Sequence, residues 1–220
     1  MTKRMSKNHP IVEESFAIID QEVGEHHYPE KQYQVIRRAI HATADFEFLD
    51  LFYFSDQVIE IAIKAILEKT PIIVDVGMVK QSIQGMIKKT SNNPVICAIE
   101  EAEKAAPNQT RTETGLLNCL EKYPNGIYAI GNAPTALLAL CHSIKNGQAQ
   151  PQLVIGAPVG FVSVIESKEA LATTNVPQIR VEGRKGGSAV TGSIINALLL
   201  LSQEEMRSPH CFTKGGEGKI

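Results

Sequence analysis

His41 is the side chain best placed for proton transfer, because it lies in the middle of an amphipathic helix that the pattern of residues 33–45 predicts. An imidazole gains or loses a proton near neutral pH, so it can donate a proton and take it back. Helical spacing puts Arg37 and Asp45 on its face, beside an apolar stripe that includes Tyr33. Arg37 or Arg38 could then hold an anionic substrate next to the imidazole. The alternative is a structural, partly exposed histidine with a carboxylate one turn away.

Composition restricts the class of protein. The 220 residues are 43% hydrophobic and 21% charged, which is typical of a folded globular chain. We expect a single domain over residues 1–220, of which residues 1–9 form a loose tail. The net charge of −2 gives no general attraction to nucleic acid or to an anionic membrane. Four scattered cysteines without a CxxC pair, and no signal sequence, predict a reduced, cytoplasmic protein. The longest apolar run is interrupted by Asn196, so we expect no membrane span.

Short apolar strands alternate with helices along the chain. Helical spacing runs from Pro10 to Gly24, and Pro29 suits the first turn of the His41 helix, while residues 46–54 fit either a strand or a buried loop. Further helices are predicted at 58–67, 110–122, 135–144, 162–173 and 188–201, and strands at 71–75, 95–99, 126–130, 152–155 and 178–181. This order predicts an α/β fold: an open, mostly parallel, Rossmann-like sheet with helices on both faces and an N-terminal helical addition.

The strongest anion-binding signal is the segment 183–188, Gly-Arg-Lys-Gly-Gly-Ser, between a strand and a long helix. Glycines let the backbone approach a ligand, the first amides of the helix point at it, and Arg184 and Lys185 add charge. The spacing is neither GxGxxG nor GxxxxGK[ST], so no nucleotide is specified. A glycine-rich helix entry with solvated basic residues is an equally good interpretation.

Other polar residues follow the predicted strands, where ligands bind in such sheets. Asp75 is expected to cap a helix, the turns 131–135 and 156–160 to line the crevice, and Arg111 to bind a carboxylate or to remain a surface charge. Asn132 or Thr135 could cap the helix after the first of these turns. The histidines do not group as metal ligands, and no serine or cysteine has the context of a nucleophile. We therefore expect no catalytic metal and no covalent intermediate.

Taken in order, these segments resemble the precorrin-8X methylmutase family, also called cobalt-precorrin-8 methylmutase, of cobalamin biosynthesis. The resemblance covers nearly the whole chain. Its motifs are His9-Pro-Ile, Glu14-Ser-Phe, Ile40-His-Ala-Thr-Ala-Asp-Phe, Asp75-Val-Gly-Met, Thr110-Arg, Gly131-Asn-Ala-Pro-Thr-Ala-Leu, Gly156-Ala-Pro-Val-Gly-Phe-Val, Glu166-Ser-Lys, Gly183-Arg-Lys-Gly-Gly-Ser and Asn196-Ala-Leu.

The resemblance implies an isomerase that moves a methyl group from C11 to C12 of a corrin ring, forming hydrogenobyrinate or its cobalt form. His41 matches the active-site histidine of the family and would protonate a ring nitrogen. The implied substrate is a tetrapyrrole polycarboxylate, which suits scattered helix N-termini and arginines. The residues expected to bind it are Ser15, Arg37, Arg38, Thr43, Arg111, Arg184, Lys185, Gly186, Gly187 and Ser188. The resemblance also implies a homodimer, with no cofactor and with any cobalt belonging to the substrate.

Two features depart from or refine the pattern. The family usually has small residues after Thr110-Arg111, whereas this chain has Thr112-Glu113, and a carboxylate beside a polyanion is unfavourable unless it points away. The stretch 44–55 resembles the cobalt-handling branch of the family more than the metal-free branch.

A non-catalytic tetrapyrrole carrier and a nucleotide-binding domain remain alternative functions. The methyl-shift hypothesis requires that His41 is neither walled off from every cavity nor remote from the glycine turns.

Overall fold

A computed structural model describes residues 9–207, and this range forms nine α-helices and six strands. The helices are α1 (Pro10–Val23), α2 (Glu30–Thr43), α3 (Phe48–Leu51), α4 (Val58–Leu67), α5 (Gly77–Lys89), α6 (Arg111–Lys122), α7 (Pro134–Lys145), α8 (Val164–Ala172) and α9 (Ser188–Arg207). The strands are β1 (Phe52–Phe54), β2 (Ile72–Val74), β3 (Val95–Cys97), β4 (Ile127–Ile130), β5 (Leu153–Gly156) and β6 (Gln178–Val181). The predicted tail, apart from His9, lies outside the described residues, as do His210 and Cys211.

The strands form one sheet in the order β1-β6-β5-β4-β2-β3. All neighbours are parallel except β1, which pairs antiparallel with β6 at the edge. β2 lies between β3 and β4, so the chain reverses its direction of strand addition after β3. The helices that follow β2 and β4 pack on opposite faces of the sheet, because α5 contacts α9 whereas α7 contacts α6 and α8. A crevice is expected at the carboxyl ends of β2 and β4 in such a topology.

Side-chain alternation along the strands divides the interior into two cores. Ile72 and Val74 of β2 join the core beneath α2, α4, α5 and α9, whereas Ile73 joins the core beneath α6, α7 and α8. Burial on both faces explains why the central strands are apolar at every position rather than at every second one. The open, mostly parallel α/β sheet with helices on both faces is confirmed, and α1 and α2 are the N-terminal helical addition.

The structure differs from the expected elements in three places. α2 ends at Thr43 and Ala44 adopts a left-handed conformation with φ 54°, so His41 lies in the last turn of the helix rather than in its middle. The stretch 46–54, whose sequence fits either a strand or a loop, forms α3 followed by the edge strand β1. Helix α5 has no counterpart among the predicted elements, because residues 77–89 contain glycines and polar residues between only three buried apolar positions.

Among the described residues, no helix combines the length and apolar character that are needed to span a membrane.

Candidate active site

The predicted functional segments meet at the carboxyl edge of the sheet. Helices α5 to α9 each follow a strand, so their N-termini, which carry the partial positive charge of each helix, lie along this edge. α2 runs so that its C-terminal segment also reaches this edge, because Asp45 contacts Lys185 in the loop before α9. The edge therefore combines one histidine with several partial positive charges, an arrangement that suits a substrate with several carboxylates.

His41 is exposed at this edge. Its ring meets the ring of Phe16 from α1 at 5.3 Å between centroids and 71° between planes, which is an edge-to-face contact. Within residues 9–207 neither ring nitrogen has a hydrogen-bond partner. The imidazole is thus held through carbon contacts, and its nitrogens are available to a ligand. It is not walled off, and its chain segment adjoins the glycine-rich loop.

Phe16 is a common contact for the basic residues of α2. The guanidinium carbon of Arg37 lies 4.5 Å from the centre of its ring and that of Arg38 lies 5.3 Å away. Arg37 also forms an ion pair with Asp20 of α1 at 2.7 Å. Burial lowers the pKa of Arg38 from its ordinary value. Both arginines therefore help to join α1 to α2, and their binding of substrate stays a prediction.

Ser15 and Thr43 are expected to contact the substrate, and both hydroxyls bond to backbone. The Ser15 hydroxyl donates to Ile11 O at 2.8 Å, and Thr43 donates to Ala39 O at 2.8 Å. Thr43 also accepts the amide of Asp45 at 3.3 Å, which guides the chain out of α2. Ser15 precedes Phe16 and Thr43 follows His41 by two residues, so both lie close to the imidazole in the chain.

Asp45 does not lie on the His41 face of a helix, because it follows the end of α2. Its carboxylate accepts from Lys185 Nζ at 2.5 Å, and Glu47 lies 2.9 Å from the same ammonium. The hydrogen bond from Lys185 lowers the pKa of Asp45, and the two carboxylates raise the pKa of Lys185. Lys185 thus joins the glycine-rich loop to the segment after His41, and its assignment to a substrate carboxylate stays a prediction.

The two predicted glycine turns lie against each other. Gly187 N donates to Ala157 O at 2.8 Å, and Gly160 N donates to Arg184 O at 3.3 Å. Gly186 has φ 150°, and a Cβ at this position would lie 2.2 Å from Ala157 O. Glycine is therefore required there for both conformation and space. Ser188 begins α9 directly after this contact.

An exposed apolar rim lies along the carboxyl edge of the sheet. It consists of Met78 at the start of α5 and of Val159, Phe161 and Val162 after β5. The ring of Phe161 is 84% exposed and lies 5.8 Å from the Arg184 guanidinium carbon. Large apolar side chains in water next to cationic groups are typical of a ligand or protein contact surface. Sequence reasoning did not single out these side chains.

Comparison with known proteins places the chain in a family. The precorrin-8X methylmutase family model matches residues 10–201. The chain is 50% identical to the cobalt-precorrin-8 methylmutase of Synechocystis sp. over 90% of this chain and 97% of that protein. It is 43% identical to the cobalt-precorrin-8 methylmutase of Priestia megaterium over 86% of this chain and 85% of that protein. The solved precorrin-8x methyl mutase of Thermus thermophilus superposes with a TM-score of 0.82 at 40% identity, covering 90% of this chain and 99% of that one.

The chain belongs to the precorrin-8X methylmutase family. It is accordingly an isomerase of cobalamin biosynthesis, as the resemblance implied.

In this methylmutase, Arg111 stands in the first turn of α6. Its Nε donates to Ala102 O at 2.7 Å, which fixes the direction of the exposed guanidinium. Within residues 9–207 its terminal nitrogens have no hydrogen-bond acceptor. These nitrogens can form the two parallel hydrogen bonds that a carboxylate accepts. The geometry supports the predicted role without testing it.

The Thr112-Glu113 departure of the methylmutase has a structural explanation. Thr110 caps α6 by accepting Glu113 N at 3.2 Å, and the Glu113 carboxylate accepts Thr110 N at 3.3 Å. This reciprocal capping box turns the carboxylate back onto its own helix. Thr112 is buried. The first turn of α6 therefore carries an acidic residue whose carboxylate is directed at the N-terminus of its own helix.

Asp75 does not cap the helix that follows it. Its Oδ2 accepts the amides of Asn132 at 2.6 Å and Ala133 at 2.8 Å, in the turn after β4. Burial raises the pKa of the Asp75 carboxyl, while these amide hydrogen bonds oppose the rise. Asp75 thus connects the two strands at the point where the topology reverses. Asn132 and Thr135, the candidate caps of the following helix, make no side-chain cap to α7.

Metal and thiol chemistry receive no support from the described part of the methylmutase. No group of three His, Cys, Asp or Glu side chains among residues 9–207 could hold a metal ion. Cys97, Cys119 and Cys141 are free and buried, and burial raises the pKa of Cys119 and of Cys141 to about 12. Thiols with such a high pKa are poor nucleophiles.

Lys168 is a polar residue of the methylmutase that belongs to the Glu166-Ser-Lys motif but is not among the predicted site residues. It lies in α8, and its ammonium donates to the carbonyls of Gly183 and Lys185. A signal is present in the sequence, because helical spacing puts Lys168 on one face with the apolar Val164 and Leu171. A lysine at an apolar position indicates a buried partner.

Proposed function

We propose that the enzyme moves the methyl group at C11 of cobalt-precorrin-8 to C12, giving cobyrinate. The shift breaks one C–C bond as it forms another, and it gains or loses no atom. The protein can favour the shift by withdrawing electron density from the conjugated ring. In this proposal His41 donates a proton to a ring nitrogen near the migrating methyl and takes it back afterwards.

The observation that carries the proposal is the position of His41. An exposed imidazole without a hydrogen-bond partner among residues 9–207 stands at the same edge as five helix N-termini, Arg111 and Arg184. Both arginines are exposed, and Arg111 is already oriented. A flat polycarboxylate could place its side chains on these groups and its ring next to the imidazole. The apolar rim would then meet the face of the macrocycle.

The names of the relatives favour the cobalt-containing substrate. The relatives at 50% and 43% identity are cobalt-precorrin-8 methylmutases, whereas the precorrin-8X methylmutase of Sinorhizobium sp. is 36% identical over 86% of this chain and 92% of that protein. The shift itself needs no redox carrier or covalent intermediate, so we propose no cofactor of the protein, and the cobalt belongs to the substrate. A cytoplasmic homodimer, without nucleic acid or membrane partners, completes the proposal.

The test compares His41→Ala with the wild type. Turnover is followed by the visible spectrum as the ring conjugation changes, and binding by titration with the product. We expect His41→Ala to lose at least about a hundredfold in kcat, as for removal of a general acid, and to keep product affinity within a few-fold. His142→Ala is the control, because His142 is an exposed histidine that contacts Asn146 in the last turn of α7.

Three outcomes would contradict the proposal. Full turnover by His41→Ala would remove the imidazole from the mechanism. Binding of corrinoid by a wild type without turnover would favour a carrier. Tighter binding of ATP or NAD than of a corrinoid in the same titration would favour a nucleotide-binding domain.

A further inference from the structure

Lys168 is the most deeply buried lysine among the described residues. It is 1% exposed and stands on the inner face of α8 between Val164 and Leu171. Removing an ammonium group from water is costly unless hydrogen bonds replace the lost water contacts. An apolar residue would avoid this cost, so the partners of the lysine call for a functional explanation.

The ammonium of Lys168 binds the backbone of the glycine-rich loop from the interior of the fold. Nζ donates to Gly183 O at 2.7 Å and to Lys185 O at 2.8 Å. These two carbonyls stand on either side of Arg184, so the lysine fixes the backbone that carries this exposed guanidinium. The end of the loop next to α9 is fixed independently by the hydrogen bond from Gly187 N to Ala157 O. Gly183 has φ 68°, a conformation that a hydrogen bond from Lys168 helps to maintain.

A second connection leads from this loop to the imidazole. The side chain of Lys185 pairs with Asp45, four residues beyond His41, while the carbonyl of the same residue accepts from Lys168. Lys168 is therefore connected to Asp45 through a single residue, Lys185, whose carbonyl binds Lys168 and whose ammonium binds Asp45. A change in the loop backbone must move the ammonium on which the segment after α2 is anchored.

We propose that Lys168 is a positioning residue for the methyl shift: it holds loop 183–188 so that Arg184 and the first amides of α9 meet the substrate carboxylates in register with His41. The inference rests on the proposed function for the identity of the ligand. Lys168 itself does not touch the substrate, because its ammonium is directed into the fold. Its effect is transmitted through the backbone of the loop.

Lys168 changes its protonation state at a lower pH than an ordinary lysine. Burial lowers its pKa to about 8, while the nearby Glu182 carboxylate acts to raise it. Glu182 is itself held by Arg180 at 2.7 Å, and the other lysine at the loop, Lys185, has a raised pKa because of its two carboxylates. An ammonium forms stronger hydrogen bonds than the neutral amine. The hold of Lys168 on the loop should therefore weaken as the pH rises above about 8.

The decisive comparison uses Lys168→Met, which nearly keeps the length of the side chain but removes its donors. We expect KM for cobalt-precorrin-8 to rise at least about tenfold, since charge-assisted hydrogen bonds are lost, with a smaller fall in kcat. Amide exchange of residues 183–187 should become faster in the absence of substrate. Lys145→Met is the control, because Lys145 is exposed in the last turn of α7, and this variant should behave as the wild type.

Two further measurements distinguish positioning from simple packing. In Lys168→Ala, added propylamine should restore KM and slow the exchange of the loop amides, whereas 1-propanol, which fills a similar volume without charge, should not. In the wild type, KM should rise between about pH 7 and 9, on either side of the lowered pKa, and this rise should be absent in Lys168→Met. If neither variant folds, the wild-type pH profile decides together with the protection of the loop amides over the same pH range, after correction for the base-catalysed intrinsic exchange rate.

The outcomes separate this inference from the proposed function. Unchanged loop exchange in Lys168→Met, or an unchanged KM while wild type and Lys145→Met turn over normally, overturns the positioning role alone. Rescue by 1-propanol as effective as by propylamine shows a packing role and also overturns it. If wild type and Lys145→Met both fail to turn over the substrate while loop exchange responds to Lys168→Met, the proposed function fails and the hold on the loop stands.

Discussion

Lys185 and Asp45 form an ion pair across 140 positions of sequence, with 2.5 Å between Nζ and the carboxylate oxygen. This contact connects the loop before α9, whose backbone is predicted to bind substrate carboxylates, with the end of α2, which carries His41. Both side chains are partly exposed, so the pair contributes little to global stability. In the proposed site, the pair would fix the distance between the loop and the imidazole.

We expect Asp45→Asn to reduce kcat/KM by about two- to fivefold, the effect of a weak exposed pair, and to leave the folded state essentially as stable as before. The loss should shrink in high salt, because screening already weakens the pair in the wild type. Steady-state kinetics at low and high ionic strength measure this. Glu68→Gln, which removes a 3.9 Å pair with Lys64 at the end of α4, is the control. Wild-type kinetics of Asp45→Asn at low salt would show that the pair has no role.

Phe16 should position the imidazole, since its ring is the one aromatic contact of His41 seen among the described residues. Phe16→Leu retains most of the buried volume and should cost about 1 kcal/mol of stability, but it removes the edge-to-face contact. We expect a fall in kcat of about threefold to tenfold. Ile19→Val on the same buried face of α1 is the control, with a similar stability cost and unchanged kcat. Equal kinetics for the two variants would refute a specific role for the ring.

Sequence patterns are sufficient for the layers of the fold because burial on both faces makes the central strands apolar throughout. β6 is predicted with its observed bounds, and α6 differs only in that Thr110 is its cap. Periodicity fails where capping and tertiary contacts decide. α2 ends at Ala44, which adopts a left-handed conformation, and no proline or glycine in the sequence predicts this end. Asp45 therefore does not lie on the helix face where the spacing places it.

The candidate site follows a similar division. The position of the glycine turns at the carboxyl edge could be predicted, because topology fixes where strands end. The position of His41 near them is required by the methyl-shift hypothesis and does not follow from the predicted topology. The partners of the charged residues could not. Lys185 is expected to face the substrate but pairs with Asp45, and Arg37 pairs with Asp20, because carboxylates distant in sequence reach these cations only in the folded chain. The exposed Phe161 has no periodic signal at all.

Gly186 is expected to be intolerant of any side chain. In Gly186→Ala the new Cβ would meet Ala157 O at 2.2 Å in a backbone conformation with φ 150°, so the loop must move. We expect a loss of about 1–3 kcal/mol in unfolding free energy together with a raised KM. Gly147→Ala is informative as a control, because φ is 71° but no atom lies within 4 Å of the Cβ that alanine would add. Chemical denaturation and kinetics of both variants separate the clash from the backbone strain; a mild effect at Gly186 would contradict the close contact.

Glu113 should be neutral toward a polyanionic substrate. Its carboxylate is turned onto the Thr110 amide, so Glu113→Gln preserves the cap while removing the charge, and KM should change by less than about twofold. Thr110→Ala removes the other half of the box and should cost about 0.5–2 kcal/mol of stability. Kinetics for the first variant and denaturation for the second provide the test. A clearly lowered KM in Glu113→Gln would show that the carboxylate does face the ligand.

Lys168 should make stability and function respond oppositely to alkaline pH. Its pKa is lowered to about 8 in the fold, so between about 8 and the ordinary lysine value near 10.5 the unfolded chain binds more protons than the folded one. Unfolding free energy must rise with pH over this window, whereas below about pH 8 the full cost of the buried charge is present. Burial also raises the pKa of Cys119 and Cys141, and these thiols lower stability as pH rises above about 9.

The measured quantity is therefore the difference between wild type and Lys168→Met in denaturation at about pH 7, 8, 9 and 10, because the thiols contribute equally to both proteins. We expect the wild type to gain relative to the variant by about 1–3 kcal/mol across the series, since each unit of pKa shift corresponds to about 1.4 kcal/mol. A constant difference would mean that Lys168 keeps an ordinary pKa, and its hold on the loop would then be independent of pH in this range.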